Sequence, residues 1–420
     1  MKVLILAPGT RGDAAPAAGL GQALTADGHE VTVVAGAEQT TLVTEAGCAV
    51  VPIDTPMAPP DDTGGIRAYL DALRHYMDAA AGAALSALSV ATAPGAGAPF
   101  DVVLTNAISP YGHDIAEHLG VPSAAALLQP AEPSAAYPPM VASARDLGSV
   151  GNRLAGRLAE RVRTPYDPAC ARVRKELGLP AESRAVAQRR RRGAGLPVHH
   201  GISPTVLPRP ADWSDRLTLD GFWWSPSRPD WEAPAELATF VDAGPAPVVV
   251  TLGSLPPGSD TAAQIERTLR TSGHRFVLQG DVLRDASGRL TDHLGAGRVL
   301  HVGDVPHEWL LPRAAAVVHQ AGAGVTSAAL RAGIPSVTVP MHTDQPFWGR
   351  RLVALSAGTA PIPMKRLSAE ALTARLDEAM TSAALHDGAA RVAKALRAED
   401  GTTPIRSWLL GLAGASASRR

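Results

Sequence analysis

Short runs of β-branched and other apolar residues alternate with helical stretches along most of this chain, and that alternation restricts it to an α/β fold built on parallel sheets. In the first half the runs are Val3–Ala7, Val31–Ala35, Ala49–Ile53, Asp101–Thr105 and Val121–Leu128. A second series opens at Val248–Leu252 and continues near 275–279, 298–302, 315–318 and 336–339. After the first run, Pro8-Gly9-Thr10-Arg11-Gly12 reads as a turn. The helix that follows is expected from about Ala14, with Ala17, Leu20, Ala23 and Leu24 at helical spacing, and Gly28-His29 ends it. Residues 38–46 and Gly112–Leu119 read as further helices. Residues 56–100 break the rhythm with a Pro-rich loop and one or two Ala-rich helices, and Gln129–Met140 reads as loop or insert.

At 420 residues the chain is too long for one ordinary core, so two domains are expected. Residues 180–235, rich in Pro and carrying Arg189-Arg190-Arg191-Arg192, change the character of the sequence and read as the crossing between them. With 39 Lys and Arg against 40 Asp and Glu, the net charge of −1 supplies no global field for nucleic acid or an anionic membrane. The arginine run alone reads as a solvated loop. Cys48 and Cys170 cannot build a disulfide framework or a four-thiolate metal site, which fits a reducing cytoplasm. The initial apolar stretch stops at Ala7, too short for a signal-peptide core. Residues 79–100 lack charge, but their Ala, Gly and Ser content and their prolines Pro94 and Pro99 do not suit a membrane span.

Three segments carry candidate chemistry. Val317-Val318-His319-Gln320-Ala321-Gly322-Ala323-Gly324-Val325-Thr326 delivers a histidine from a strand into a small-residue loop, with a helix expected from about Gly324. Unpaired amides at such a helix start form a phosphate seat, and His319 can donate to a phosphate oxygen; a tight turn with a satisfied histidine is the competing account. Asp344 and Gln345 set a carboxylate beside an amide, which suits a sugar diol, while helix capping by Asp344 explains the same residues structurally. Asp13, at the end of the first strand, reads either as a cap or as a general base. The loop Gly9-Thr10-Arg11-Gly12 is not the dinucleotide-binding G-x-G-x-x-G, and the second strand ends in Val34-Ala35-Gly36 without an acid, which argues against a nicotinamide enzyme. HExxH, P-loop, Cys/His metal spacing and GxSxG are absent from the sequence.

Taken in order, GTRGD (9–13), YGHDIAEHLGVP (111–122), SPTVLPRPADW (203–213), GFWW (221–224), GSLP (253–256), GDVPHEWL (303–310), HQAGAGVTSAALRAGIP (319–335) and DQPFWGRRL (344–352) resemble the family 1 nucleotide-sugar glycosyltransferases. The resemblance is to the sterol glucosyltransferase-like branch and its actinobacterial relatives acting on macrolide, ansamycin and other natural-product alcohols, and it runs from residue 3 to about 380. It implies the GT-B architecture, two Rossmann-like parallel-sheet domains facing a cleft. The domains are then an acceptor-binding domain at 1–210, a linker at 211–235, a nucleotide-sugar-binding domain at 236–390, and a C-terminal helix at 391–420 returning to the first domain.

Carried over by position, the resemblance makes Asp13 the catalytic base and His319 the pyrophosphate ligand. His113, at a helix start, reads either as a group that assists or orients the base or, as such histidines more often are, as a structural residue. It puts Gly322, Gly324, Val325 and Thr326 at the helix-end phosphate site, Asp344 and Gln345 on the sugar hydroxyls, and Ser254 and Gly12 on the donor side. Val305, through its backbone, and Trp309 would hold the base. Gln320-Ala321 and Val325 depart from the family's H-H-G-G-A-G-T, and Val325 removes a hydroxyl from the phosphate site.

The implied reaction moves a hexose, with inversion and without metal or other cofactor, from a UDP- or dTDP-sugar to a lipophilic alcohol. Glucose and uridine are the family-weighted expectation. Pro56–Pro60, Tyr69, Tyr76, Met77 and Ala135–Met140 offer apolar material for that acceptor, or pack beneath loops. Competing readings are a non-catalytic sugar-nucleotide-binding auxiliary subunit and a nucleotide-sugar epimerase on the same architecture. No nucleic-acid partner and no integral membrane segment are expected.

Overall fold

The computed structural model describes residues 1–57, 65–90, 98–130, 132–140, 145–252, 259–280, 283–295, 297–341 and 343–417. The chain divides into two compact units, one of residues 1–204, 208–228 and 400–420, the other of 205–207 and 229–399.

The first unit carries strands β1 (Lys2–Leu6), β2 (Glu30–Gly36), β3 (Ala49–Ile53), β4 (Val102–Thr105), β5 (Ser123–Leu127), β6 (Val198–His200) and β7 (Leu217–Leu219). Its helices are α1 (Arg11–Ala26), α2 (Thr40–Glu45), α3 (Gly65–Val90), α4 (Gly112–Leu119), α5 (Gly148–Ala159), α6 (Asp167–Glu176) and α7 (Arg184–Gly193). The seven strands are all parallel in the order β3-β2-β1-β4-β5-β6-β7. Because side chains alternate along a strand, β1 feeds two cores. Val3 and Ile5 pack with Leu20 and Leu24 of α1, whereas Leu4 and Leu6 pack with Tyr76, Ala80 and Ala84 of α3 and Ile115 of α4. A strand buried on both faces needs the continuous apolar run that made it readable.

The second unit carries β8 (Val248–Thr251), β9 (Phe276–Gln279), β10 (Val299–Val302), β11 (Ala316–His319) and β12 (Ser336–Thr338). Its helices are α8 (Ala235–Asp242), α9 (Ser259–Thr271), α10 (Arg284–Leu294), α11 (His307–Leu310), α12 (Ala323–Ala332), α13 (Gln345–Ala354), α14 (Ala369–Thr381) and α15 (Ala383–Leu396). The sheet is parallel in the order β10-β9-β8-β11-β12. Val248 and Val250 face a core with Ile265, Leu269 and Leu376, and Val249 faces Leu237, Leu310 and Ala329. A last helix, α16 (Thr403–Ala417), belongs to the first unit. It buries Ile405 and Leu409 against the α1 core, pairs Arg406 with Asp27 at 2.5 Å, and is preceded by Gly401, whose carbonyl accepts from the Trp223 indole at 2.8 Å.

The stretch 180–235 differs from the crossing expected from the sequence. Residues 208–228 are part of the first unit, and β6 and β7 complete its sheet. Their sequences, Val198-His199-His200 and Leu217-Thr218-Leu219, are too short and too polar to announce strands. The arginine run is helical in α7, not a solvated loop. Arg190 pairs with Glu182 at 2.7 Å, Arg191 with Asp114 at 3.1 Å and Arg192 with Glu132 at 3.3 Å, so three of the four charges fasten α7 to its neighbours. Helix α1 begins at Arg11, three residues before the expected start, because Thr10 takes the N-cap. Among the described residues no helix is long and apolar enough to cross a membrane.

Candidate active site

In an open parallel sheet, ligands collect beyond the carboxyl ends of the strands where strand order reverses. That point lies between β1 and β4 in the first unit and between β8 and β11 in the second. The loop after β1 leads into α1, whose first turn holds Asp13, and the loop after β11 holds Gln320–Gly322.

The β1–α1 loop is held from several directions. Tyr76 Oη accepts from Gly9 N–H at 2.7 Å and donates to the Gly9 carbonyl at 3.2 Å, and the Asn106 side-chain amide donates to the Pro8 carbonyl at 2.8 Å. Burial pushes the Tyr76 phenol up to about 12, so it stays a neutral donor. Thr10 caps α1 through Gly12 N–H (3.2 Å), while Asp13 Oδ2 accepts from Thr10 N–H at 3.0 Å, completing a capping box. Gly9 sits at φ 129°, and a Cβ there would lie 2.6 Å from Asp13 Cγ and closer still to Oδ2, so only glycine fits beside this carboxylate. Half-buried Asp13 lines a small pocket of about 20 Å³, room for one water-sized group, with Ala17, Leu20, Asn106, Leu128 and Trp223. Asp13 therefore serves the helix cap and borders an apolar wall at once. Gly12 is exposed, and its amide is committed to the Thr10 hydroxyl.

His113 is placed as the structural one of its two readings would have it. It lies in the first turn of α4, buried, with Nδ1 at 2.9 Å from the Ser123 hydroxyl of β5, and burial holds its pKa well below the usual histidine value. The imidazole fastens α4 to the sheet. Tyr76 and Met77 are likewise core residues, each 1% exposed, and Tyr137 and Met140 are buried, Tyr137 packing edge-on against Trp213. Of the acceptor material expected from the sequence, 58–60 and the Tyr69 side chain lie outside the described residues.

In the second unit, His319 ends β11 fully buried. Its Nδ1 accepts from Ala321 N–H at 3.0 Å, which fixes the hydrogen on Nε2. Burial drives its pKa down to about 3, so the ring is neutral, and the Nε2–H donor has no hydrogen-bond partner among the described residues. Ala321 adopts φ 62°, a left-handed conformation that costs an alanine of order 1 kcal/mol and aims its N–H back at the imidazole. Helix α12 then starts with Gly322 at the N-cap and no side-chain cap. A Cβ at Gly322 or Gly324 would meet nothing within 4 Å, so the approach to the helix end is open. Thr326 N–H is already used on the Gly322 carbonyl at 3.0 Å, and its hydroxyl is buried without a partner among the described residues. Val325 is half-buried and brings no polar atom beyond its amide.

Asp344 occupies the N-cap of α13 without making the side-chain cap bond, so the structural account read from the sequence is not the one used. Its Oδ2 accepts from the Trp348 indole at 2.9 Å and Oδ1 from the Thr343 hydroxyl at 3.1 Å. Gln345 Oε1 accepts from Met341 N–H at 2.7 Å, holding the loop before the helix. The Val305 carbonyl is taken by the Gln279 side chain at 2.7 Å, and Gln279 Oε1 is 3.0 Å from His307 Nε2. Trp309 packs edge-on with Trp231 and carries the Arg313 guanidinium 4.3 Å above its ring, so it is engaged within its own unit. Ser254 lies outside the described residues. Among the described residues no group of three or more His, Cys, Asp or Glu is placed to hold a metal ion.

Asn106, Gln279 and Trp348, which shape these sites, escaped the sequence, and Tyr76 was read as acceptor or packing material where it is an anchor of the β1–α1 loop. Only Trp348 carried a readable signal, its position four residues after Asp344 on one helix face.

Two Rossmann-like parallel units, one with a carboxylate at its switch point and one with an uncapped helix end behind a buried histidine, define a GT-B glycosyltransferase framework. The family model for the C-terminal domain of erythromycin biosynthesis protein CIII-like proteins matches residues 279–409. The chain is 32% identical over 425 residues to O-mycaminosyltylonolide 6-deoxyallosyltransferase of Streptomyces fradiae, covering 96% of this chain and 95% of that one. It is 30% identical to sterol 3-beta-glucosyltransferase UGT80A2 of Arabidopsis thaliana, covering 96% of this chain but 64% of that longer protein. The glycosyltransferase VinC, solved in complex with dTDP, superposes with TM-score 0.65 at 19% identity, covering 99% of this chain and all of that one. The protein belongs to the glycosyltransferase family that contains these macrolide and sterol enzymes.

Proposed function

We propose that this glycosyltransferase moves a hexose from a nucleoside-diphosphate sugar to a hydroxyl of a lipophilic natural product or sterol-like acceptor, with inversion at the anomeric carbon. UDP-glucose is the first donor to test and a dTDP-sugar the second, since a fold neighbour was solved with dTDP. The observation that carries the reading is His319: a buried neutral imidazole, locked at Nδ1, with an unpartnered Nε2–H beside the open start of α12. Such a donor and such a helix end suit a diphosphate that gains charge as the glycosidic bond breaks. In this mechanism Asp13 takes the acceptor's proton as its oxygen attacks. A carboxylate with a reference pKa near 4 is a weak base toward an alcohol, so proton removal accompanies bond breaking. Asp344, oriented by Trp348, and Gln345 bind sugar hydroxyls. The negative charge collects on the helix end and His319, and the reaction needs no divalent cation.

The test is incubation with UDP-glucose or dTDP-glucose and a panel of lipophilic alcohols, with and without chelator, alongside Asp13→Asn and His319→Ala. The expected outcome is a glycosylated alcohol of inverted configuration, lost in Asp13→Asn while nucleotide binding persists, and weakened nucleotide binding in His319→Ala. Altered free sugar without an alcohol would identify an epimerase. Nucleotide-sugar binding with no product from any acceptor would leave only a binding subunit.

A further inference from the structure

Helix α5 is seated with the opposite polarity to an ordinary surface helix. Its inward residues are Asn152, whose side chain donates to the Asp146 carboxylate at 2.8 Å, and Gly156, packed on Pro133. Its outward face carries Val150, Leu154 and Leu158, which are 76%, 56% and 51% exposed. Leu147 precedes them and Val162 follows, both exposed, and the spacing of three and four aligns Leu147, Val150, Leu154 and Leu158 in one stripe. A surface helix normally shows water its polar face and the core its apolar one. Here the whole stripe faces out.

What flanks the stripe is basic. Arg157 and Arg161 follow Leu154 and Leu158 by three residues, and Arg163 lies just beyond the helix. All three are exposed and have no ion-pair partner among the described residues. The one acid of the helix end, Glu160, is already paired with Arg192. The charge is concentrated locally: between 145 and 192 there are thirteen Lys and Arg against five Asp and Glu, +8 in a chain whose total is −1. Much of that excess is spent on acids outside the window, Arg153 on Asp212, Arg172 on Asp78, Arg191 on Asp114 and Arg192 on Glu132, so the free positive charge beside the stripe is that of Arg157, Arg161 and Arg163.

We propose that the α5 face docks on an anionic lipid surface. A convex helix presenting Leu and Val between unpaired arginines matches a bilayer interface, where the apolar side chains enter the acyl boundary and the guanidiniums meet lipid phosphates. A protein partner would need a groove of complementary acidity. The proposal rests on unit-one surface alone and does not depend on which donor or acceptor the enzyme uses.

The test is co-sedimentation of the full chain with mixed phosphatidylglycerol–phosphatidylcholine vesicles and with pure phosphatidylcholine vesicles, at low and high salt. Light scattering without lipid gives the oligomeric state, and circular dichroism verifies folding of each variant. The intact protein is expected on the anionic vesicles and not on the neutral ones. Partition should fall about tenfold or more in Leu154→Ser/Leu158→Ser, in Arg157→Gln/Arg161→Gln and at high salt. Absence of binding to anionic vesicles, equal binding to both lipids, or binding unchanged in either double variant overturns it. So does a self-association that the leucine pair abolishes while vesicles are ignored, which would make the stripe a protein interface.

Discussion

Replacing Gly9 with alanine tests whether the β1–α1 loop exists to aim Asp13. The substitution does two things at once. It places an L residue at φ 129°, and it drives a Cβ into the carboxylate, 2.6 Å from Asp13 Cγ. An ordinary carbon–carbon contact is about 3.5–4 Å, so Asp13 must retreat by about 1 Å or the loop must open. Opening the loop breaks the paired hydrogen bonds to Tyr76 Oη at 2.7 and 3.2 Å, and moving Asp13 breaks the 3.0 Å bond to Thr10 N–H. The backbone strain costs roughly 1–3 kcal/mol. At about 2–4 °C per kcal/mol for a unit of this size, the melting temperature should fall by roughly 2–12 °C. A displacement of about 1 Å at a catalytic group costs of order a hundredfold in rate. Thermal melting, kcat with a lipophilic acceptor and nucleotide Kd by calorimetry together read the effect, with Asp13→Asn as reference. The expected pattern is a lowered kcat, a modestly lowered melting temperature and an unchanged Kd. A full kcat in a protein that melts early would refute the idea that the carboxylate works from this position.

Three further expectations concern the second unit and the buried histidines. Trp348→Phe removes the indole that holds Asp344 Oδ2 at 2.9 Å, a hydrogen bond to a charge worth roughly 1.5–3 kcal/mol. The KM for the sugar donor should rise about ten- to hundredfold while Kd for the bare nucleotide diphosphate stays put. Gln279→Leu strips the buried Val305 carbonyl of its 2.7 Å partner and should cost roughly 1–3 kcal/mol of stability, read as a lower urea midpoint. Acid should destabilise the ligand-free protein early. His200 and His319 have pKa values lowered to about 4 and about 3 by burial, so below 6.5 the unfolded chain binds protons that the folded one refuses. Stability is complete above pH 6.5 and is lost as pH falls toward those values, by about 2 kcal/mol per histidine at pH 5. Urea melts at pH 7 and pH 5 measure it, and flat stability across that interval would contradict the burial.

How much could be read in advance follows from how each feature is encoded. Central strands such as Val248-Val249-Val250 must be apolar on both faces, so their position is written in consecutive letters. The short strands β6 and β7 at one end of the sheet are not, since three residues each, held partly by a His199–Asp220 hydrogen bond of 2.7 Å, leave no run to detect. Asp13 and His319 were visible because strand, small residues and helix follow one another locally. The residues that fix their geometry were not, because Tyr76 and Asn106 reach the loop from 67 and 98 positions away. His113 was ambiguous for the converse reason: a polar letter at a helix start reads as site or as structure, and the 2.9 Å contact to Ser123 shows the structural use.

The two switch-point helices begin in the same topological place yet treat their positive ends oppositely. At α1 the chain supplies its own anion: Thr10 caps the helix and Asp13, in its first turn, closes the box. That carboxylate sits where the first amides of the helix point, and it is the residue proposed above as the proton acceptor. At α12 the cap is Gly322, with no side chain to satisfy the first amides, and the neighbouring His319 is neutral. The pole is left for an anion that the chain does not contain. One fold thus yields a self-capped helix start in one unit and an uncapped one in the other, the two places to which the proposed mechanism assigns the base and the diphosphate, and the difference lies in a few letters, Thr-x-x-Asp against Gly-x-Gly. Placing Asp at 322 would fill the α12 pole from within and raise the melting temperature while abolishing nucleotide binding. A Gly322→Asp protein that still bound nucleotide at wild-type strength would show that the helix end is not the seat.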